Sequence, residues 1–107
     1  MAKPVRLREL AVTDLELASE YYREQADERT APEFIDAAER AIGRIGRSPH
    51  LGSLRFAHEL AIPELRAWAL ERFPHVVFYV DTRDVVDVWR ILHTRRDIPA
   101  TLQPPEA

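Results

Sequence analysis

The chain contains no cysteine, and Lys3 is its only lysine. Without cysteine there are no disulfides and no thiolate metal ligands, which fits a reducing compartment. The glycines Gly43, Gly46 and Gly52 are too scattered to build a phosphate-cradling loop. Unbroken apolar runs reach about five residues, far short of the roughly 20 that span a bilayer. The opening residues, Met1 to Arg8, have no apolar segment of the secretory type. No membrane partner is expected, and the location expected is cytoplasmic. His50, His58, His75 and His93 have no ligand-like pairing, so no metal and no other cofactor is expected. Ser19, Ser48 and Ser53 lack the context of a nucleophile elbow.

What is present suits one domain spanning 1–107, with 1–4 and 103–107 expected to fray. Hydrophobic residues make up 46% of the chain, enough for one core. Eighteen acidic residues (18) face 15 basic ones, a net charge of −3. The overall field does not favour nucleic acid, so any phosphate contact must come from a local patch.

Residues 5–10 alternate apolar and charged, the period of a half-buried strand. Thr13 and Glu16 match a capping box and predict a helix over about 13–27. Thr30 and Glu33 repeat that pattern, with Pro32 in the first turn. Phe34, Ala38, Ala41, Ile42 and Ile45 then form an apolar stripe. The short link makes the two helices a hairpin, which Pro49 and Gly52 end. Residues 53–63 read equally as a strand or a short helical turn. Leu65–Leu70, Val76–Val80 and Val85–His93 are strand-like, with a turn at Asp81–Asp84. Their short connections predict an antiparallel meander. The fold class is therefore α+β: a two-layer domain with a helix hairpin on a mainly antiparallel sheet.

Cations gather at the end of the meander. By strict alternation, Val86, Val88, Arg90 and Leu92 share one face, and Val85, Asp87, Trp89, Ile91 and His93 the other. Arg66, Trp68, Arg90, His93 and Arg95 could form a cationic, partly aromatic surface for an anionic or polar partner. Alternatively, each Arg pairs with a local acid such as Glu64, Asp87 or Asp97. Tyr21 and Tyr22 are adjacent, so they cannot both enter one core. They mark either an apolar margin for a partner or one wide buried stripe.

The ordered set resembles the ParE/RelE superfamily of toxins, closer to its ParE branch. It runs from Asp14-Leu15, Ala18 and Tyr21-Tyr22 through Phe34, Ala38 and Ile42 to Ser48-Pro49 and Gly52. It continues with Leu65-Arg66, Phe73-Pro74, Val77-Phe78-Tyr79 and Val88 to His93, ending in Arg95-Arg96-Asp97-Ile98-Pro99. The resemblance implies a β-α-α-β-β-β fold and the toxin of a type II toxin–antitoxin module. It implies a small ParD-like antitoxin as partner, DNA gyrase as target, and operator DNA reached only through the antitoxin. No small-molecule substrate is implied. The implied antitoxin contacts are Leu17, Tyr21, Tyr22, Ile35, Arg66 and Trp68. The implied target contacts are Arg90, His93, Arg95, Arg96, Asp97 and Ile98. The RelE branch cuts mRNA on the ribosome, and a nuclease here would rely on Arg66, His75, His93 and Arg95. Thr101 and Leu102 stand where that branch places a Tyr, and its lysines are missing. A non-enzymatic gyrase inhibitor is therefore the first expectation. The mRNA endonuclease and an inactive binding module in an antitoxin–operator complex are the alternatives.

Overall fold

In chain order, the computed structural model, which describes residues 2–96 and 98–102, runs β1 (Val5–Leu7), α1 (Glu9–Gln25), α2 (Thr30–Arg47) and α3 (Arg55–Leu60). Then come β2 (Leu65–Ala69), β3 (His75–Asp81), β4 (Val86–His93) and α4 (Ile98–Thr101). The sheet order is β1-β4-β3-β2. The β2–β3 and β3–β4 pairs are antiparallel, and β1 lies parallel to β4. The parallel pair follows from the topology, because the whole helix hairpin separates β1 from its partner. No helix among the described residues is long and apolar enough to cross a membrane.

The hairpin covers one face of the sheet. Phe34, Ala38 and Ile45 of α2 pack with Val77, Tyr79, Val86, Val88 and Ile91 in one buried cluster. The alanines let α2 lie close to the strands. On the opposite face Leu65, Phe78 and Leu92 pack with Ile62, Ile98 and Leu102. The second cluster settles the ambiguous 53–63 region. Ser53 forms a bridge to Ala67, and α3 follows it, placing Phe56 edge-on to Phe78.

Both expected capping boxes are absent. The helix α1 begins four residues before Thr13, with Arg8 at its N-cap and no side-chain cap. Thr30 is itself helical, and Asp27 accepts hydrogen bonds from the Arg29 amide and the Thr30 hydroxyl. Leu102 is 2% exposed, anchored in the second core beside Ile98. The fraying expected at Met1 and over 103–107 lies outside the described residues, whereas Lys3 is tied to Asp81 and the Thr82 carbonyl.

Strict alternation also fails in β4. Phe78 pairs with Arg90 and Tyr79 with Val88, so Trp89 is an extra residue in a β-bulge. Beyond it the faces exchange. Ile91 joins the Val86–Val88 core, while Leu92 enters the opposite one.

Candidate functional site

A cleft of about 330 Å³ opens between α1 and the end of β4. Leu17, Tyr21 and Tyr22 form its helical side, and His75, His93 and Arg96 its strand side. It exists because β1 is short. Pairing with β1 covers β4 only from Val86 to Val88, so the rest of that edge must be satisfied otherwise. Asp14 does so from α1. Its carboxylate accepts the Ile91 amide at 2.9 Å and binds the Arg90 guanidinium through Nε and Nη2, each at 2.8 Å. This arrangement crosses α1 over the strand and leaves the helix surface beyond Asp14 uncovered. There Leu17 is 57% and Tyr21 61% exposed.

The floor of the cleft is aromatic. Tyr22 lies 5.3 Å from both Phe34 and Phe73, edge-on to the latter. His75 stands 4.9 Å from Phe34 and 5.1 Å from His93, centroid to centroid. His75 is 6% exposed, and its Nδ1 has no hydrogen-bond partner. Burial, then the neighbouring His93, pushes its pKa down to about 4, against a smaller opposing pull from Asp14. His75 is therefore neutral near pH 7. Burial and the neighbouring Tyr21 hold the Tyr22 phenol above its ordinary range. The Nδ1 of His93 accepts the Arg95 amide at 3.0 Å, which orients the ring and forms the turn after β4.

Of the residues implied as target contacts, His93, Arg95 and Arg96 lie together at this turn, and both arginines are exposed. Arg90 does not join them. Its fork is occupied by Asp14, and its Nη1 reaches the Thr101 carbonyl at 3.4 Å. Ile98 is buried in the second core. The half-buried Arg90 and the buried Ile98 thus hold the fold together. Asp97 lies outside the described residues.

Of the implied antitoxin contacts, Leu17, Tyr21 and Tyr22 line the cleft, but the others are dispersed. Ile35 is half-buried beside Arg23, Glu28 and Pro32. Trp68 is half-buried between α2 and the β2 edge. Arg66 donates to the carbonyls of His50 and Gly52, so it organises the loop after α2. That loop is fixed from below by Tyr79, whose hydroxyl donates to the Pro49 carbonyl and accepts the Gly52 amide.

The four residues a nuclease would use are not brought together. His75 and His93 touch, but Arg66 pairs with Tyr79, four residues further along β3 from His75, a separation of about 13 Å. Among the described residues no cluster of three or more His, Asp or Glu side chains could hold a metal ion. The residue that sequence reasoning missed is Asp14. The signal was present: a carboxylate between Ala11 and Ala18 on the buried face of α1 requires a buried cation.

A family model described as "ParE toxin of type II toxin-antitoxin system, parDE" matches residues 5–98. No curated protein sequence matches. Among solved structures, "Chromosomal ParDE TA system from P. aeruginosa" is similar, with a TM-score of 0.72 and 16% identity. The alignment covers 86% of this chain and 96% of that one, a likeness of fold.

Proposed function

This chain belongs to the ParE toxin family of type II toxin–antitoxin systems, and we propose that it arrests growth by binding DNA gyrase, without catalysis. In this reading a small ParD-like antitoxin neutralises it in the cytoplasm and links it to operator DNA. The observation that carries the reading is the composition of the α1/β4 cleft. Exposed Leu17 and Tyr21 offer apolar area to a polypeptide, and His93 and Arg96 offer polar and cationic groups beside it. Such a mixture of aromatic anchor and arginine suits a protein partner. The cleft does not suit phosphodiester cleavage, which needs a proton acceptor, a proton donor and cations around one scissile bond. His75 is buried and neutral, Arg66 serves the loop after α2, and Arg90 is neutralised by Asp14.

The test is a supercoiling assay with purified gyrase and purified toxin, run beside a translating-ribosome assay that reports mRNA cleavage. Inhibition of supercoiling with accumulation of cleaved DNA is expected, together with intact mRNA. The variant R95E/R96E should lose inhibition while keeping its melting temperature, because both side chains are exposed. Codon-specific mRNA cutting with untouched supercoiling would overturn the proposal.

A further inference from the structure

The strand side of the cleft between α1 and β4 presents a backbone donor as well as side chains. The Leu70 amide donates to the His75 carbonyl, so His75 turns its backbone groups toward β2. His93 stands opposite His75 and therefore turns its own amide and carbonyl outward, as Ile91 does one step earlier on the same edge. Pairing with β1 ends at Val88, so neither residue has a neighbouring strand there. Asp14 takes the Ile91 amide, and the Arg96 amide takes the His93 carbonyl. The backbone amide of His93 has no partner among the described residues.

The same edge shows what such an amide takes. At Ile91 an outward amide and the Arg90 guanidinium together hold the Asp14 carboxylate. About 7 Å further along the strand, the free His93 amide and the guanidinium of Arg96 line one cleft. Arg96 is exposed and has no ion-pair partner among the described residues. Asp14 is the only acid on the cleft wall, and both of its oxygens are committed. Around these donors the wall is aromatic or already dry. Tyr21 and Tyr22 stand edge to face with centroids 5.6 Å apart. The Nδ1 of His75 is buried and unpaired, and the Nδ1 of His93 is occupied by the Arg95 amide. Covering these imidazoles therefore strips no water from either nitrogen, and a ring laid there finds aromatic edges and faces to pair with.

We propose that this cleft binds a small aromatic carboxylate, its carboxylate on the His93 backbone amide and the Arg96 guanidinium and its ring among Tyr21, Tyr22 and His75. The volume, about 330 Å³, lies in the range of small-ligand cavities. A planar carboxylate matches one arginine fork and one amide, as Asp14 does at the neighbouring position. A phosphate dianion calls for a second cation, and Arg90, the nearest on the strand, is neutralised by Asp14. A cationic ring would meet Arg96 and find no free carboxylate. The ligand would sit where the target is proposed to bind, so it would relieve inhibition. That consequence rests on the proposed gyrase reading, whereas the binding itself does not.

The full chain, labelled with ¹⁵N, is titrated with phenylacetate and followed by NMR at the His93 backbone amide. Acetate, phenylethanol and phenethylamine are titrated alongside. Phenylacetate should bind saturably and shift the His93 resonance. Acetate lacks the ring and phenylethanol the charge, so each should bind at least about tenfold more weakly, and phenethylamine should not bind. Arg96→Gln, at an exposed position, should lower phenylacetate affinity at least about tenfold while keeping the melting temperature. Tyr21→Ala should lower it about fivefold. A shift that does not saturate, acetate binding as well as phenylacetate, or affinity undiminished in Arg96→Gln overturns the proposal. In the supercoiling assay, saturating phenylacetate should relieve the inhibition caused by the toxin. Phenylacetate binding by a protein that leaves gyrase untouched would refute the toxin reading and keep the ligand site. Gyrase inhibition by a protein that does not bind phenylacetate would refute the ligand site alone.

Discussion

His75 makes the stability of this protein depend on pH in a defined window. The side chain is neutral and buried, with its pKa lowered from 6.5 to about 4. The unfolded chain therefore binds a proton as pH falls below about 6.5, whereas the native state resists it until about 4. Stability is full above the upper value and declines as the pH drops through the interval. Between about pH 7.5 and about pH 5 the loss from this one group is about 2 kcal/mol. For a domain of this size that corresponds to a melting temperature lower by about 8 °C. The groups facing His75 are Tyr22 and Asp14 from α1, Phe34 from α2 and His93 from β4. His75→Phe keeps an aromatic ring in the cluster and removes the proton-binding nitrogens. Urea melts of both proteins across this range should show the decline in the wild type and a much flatter profile in the variant. The comparison is of slopes, so a packing cost of the larger ring cancels. His93→Gln removes the like-charged neighbour and should shallow the wild-type slope without abolishing it. An unchanged slope in His75→Phe would falsify the assignment and place the proton uptake elsewhere.

Three further outcomes test the fold around the sites. Asp14→Ala strips the Arg90 charge and the Ile91 amide of their partner, and it should cost about 3–5 kcal/mol in urea titration. A loss under about 1 kcal/mol would mean that water replaces the carboxylate. Gly52→Ala should cost about 1–3 kcal/mol, because a Cβ there meets the Tyr79 hydroxyl at 2.5 Å and the Arg66 Cβ at 2.8 Å. The backbone angle of Gly52 is ordinary, φ −64°, so the loss comes from space alone, and a neutral thermal melt would refute it. Leu102→Ala should cost about 2 kcal/mol by emptying part of the second core, whereas a frayed terminus would lose nothing.

The helix hairpin and the meander were legible because their apolar periods extend over many residues. What could not be read depends on contacts remote in sequence. Arg90 was open to two readings, a free surface cation or a pair with a local acid such as Glu64, Asp87 or Asp97, but its partner is Asp14, 76 positions away. The bulge at Trp89 inserts one residue and exchanges the faces of β4, and no propensity marks it, since Val88, Trp89 and Arg90 all suit a regular strand. The expected helix start at Thr13 followed a local capping pattern, but β1 passes so directly into α1 that the helix begins at Glu9. Ile98 and Leu102, at either end of α4, dock that short helix in the second core. The same limits explain the site. Tyr21 and Leu17 were recognisable as an apolar surplus on the first helix, and His93, Arg95 and Arg96 as a polar strand end. Only the crossing of α1 over the uncovered edge of β4 puts Leu17 and Tyr21 on one cleft with His93 and Arg96.

That juxtaposition bears on how neutralisation would work. On the proposed reading, the antitoxin covers Leu17 and Tyr21 and the target contacts His93, Arg95 and Arg96. A cleft of about 330 Å³ has room for the side chains of one partner, not two. Neutralisation would then be direct exclusion and needs no conformational change in the toxin. Exclusion is reciprocal, so a ligand of the cleft must lower gyrase affinity by the same factor by which gyrase lowers its own. Charge reversal in R95E/R96E should weaken target binding more than antitoxin binding, and Tyr21→Ala should do the opposite, because the exposed ring adds apolar area that the cations do not. Paired titrations of toxin with immobilised gyrase and with the cognate antitoxin measure both. If the antitoxin bound a preformed toxin–gyrase complex with undiminished affinity, the two surfaces would be separate, and the cleft would serve only one of them.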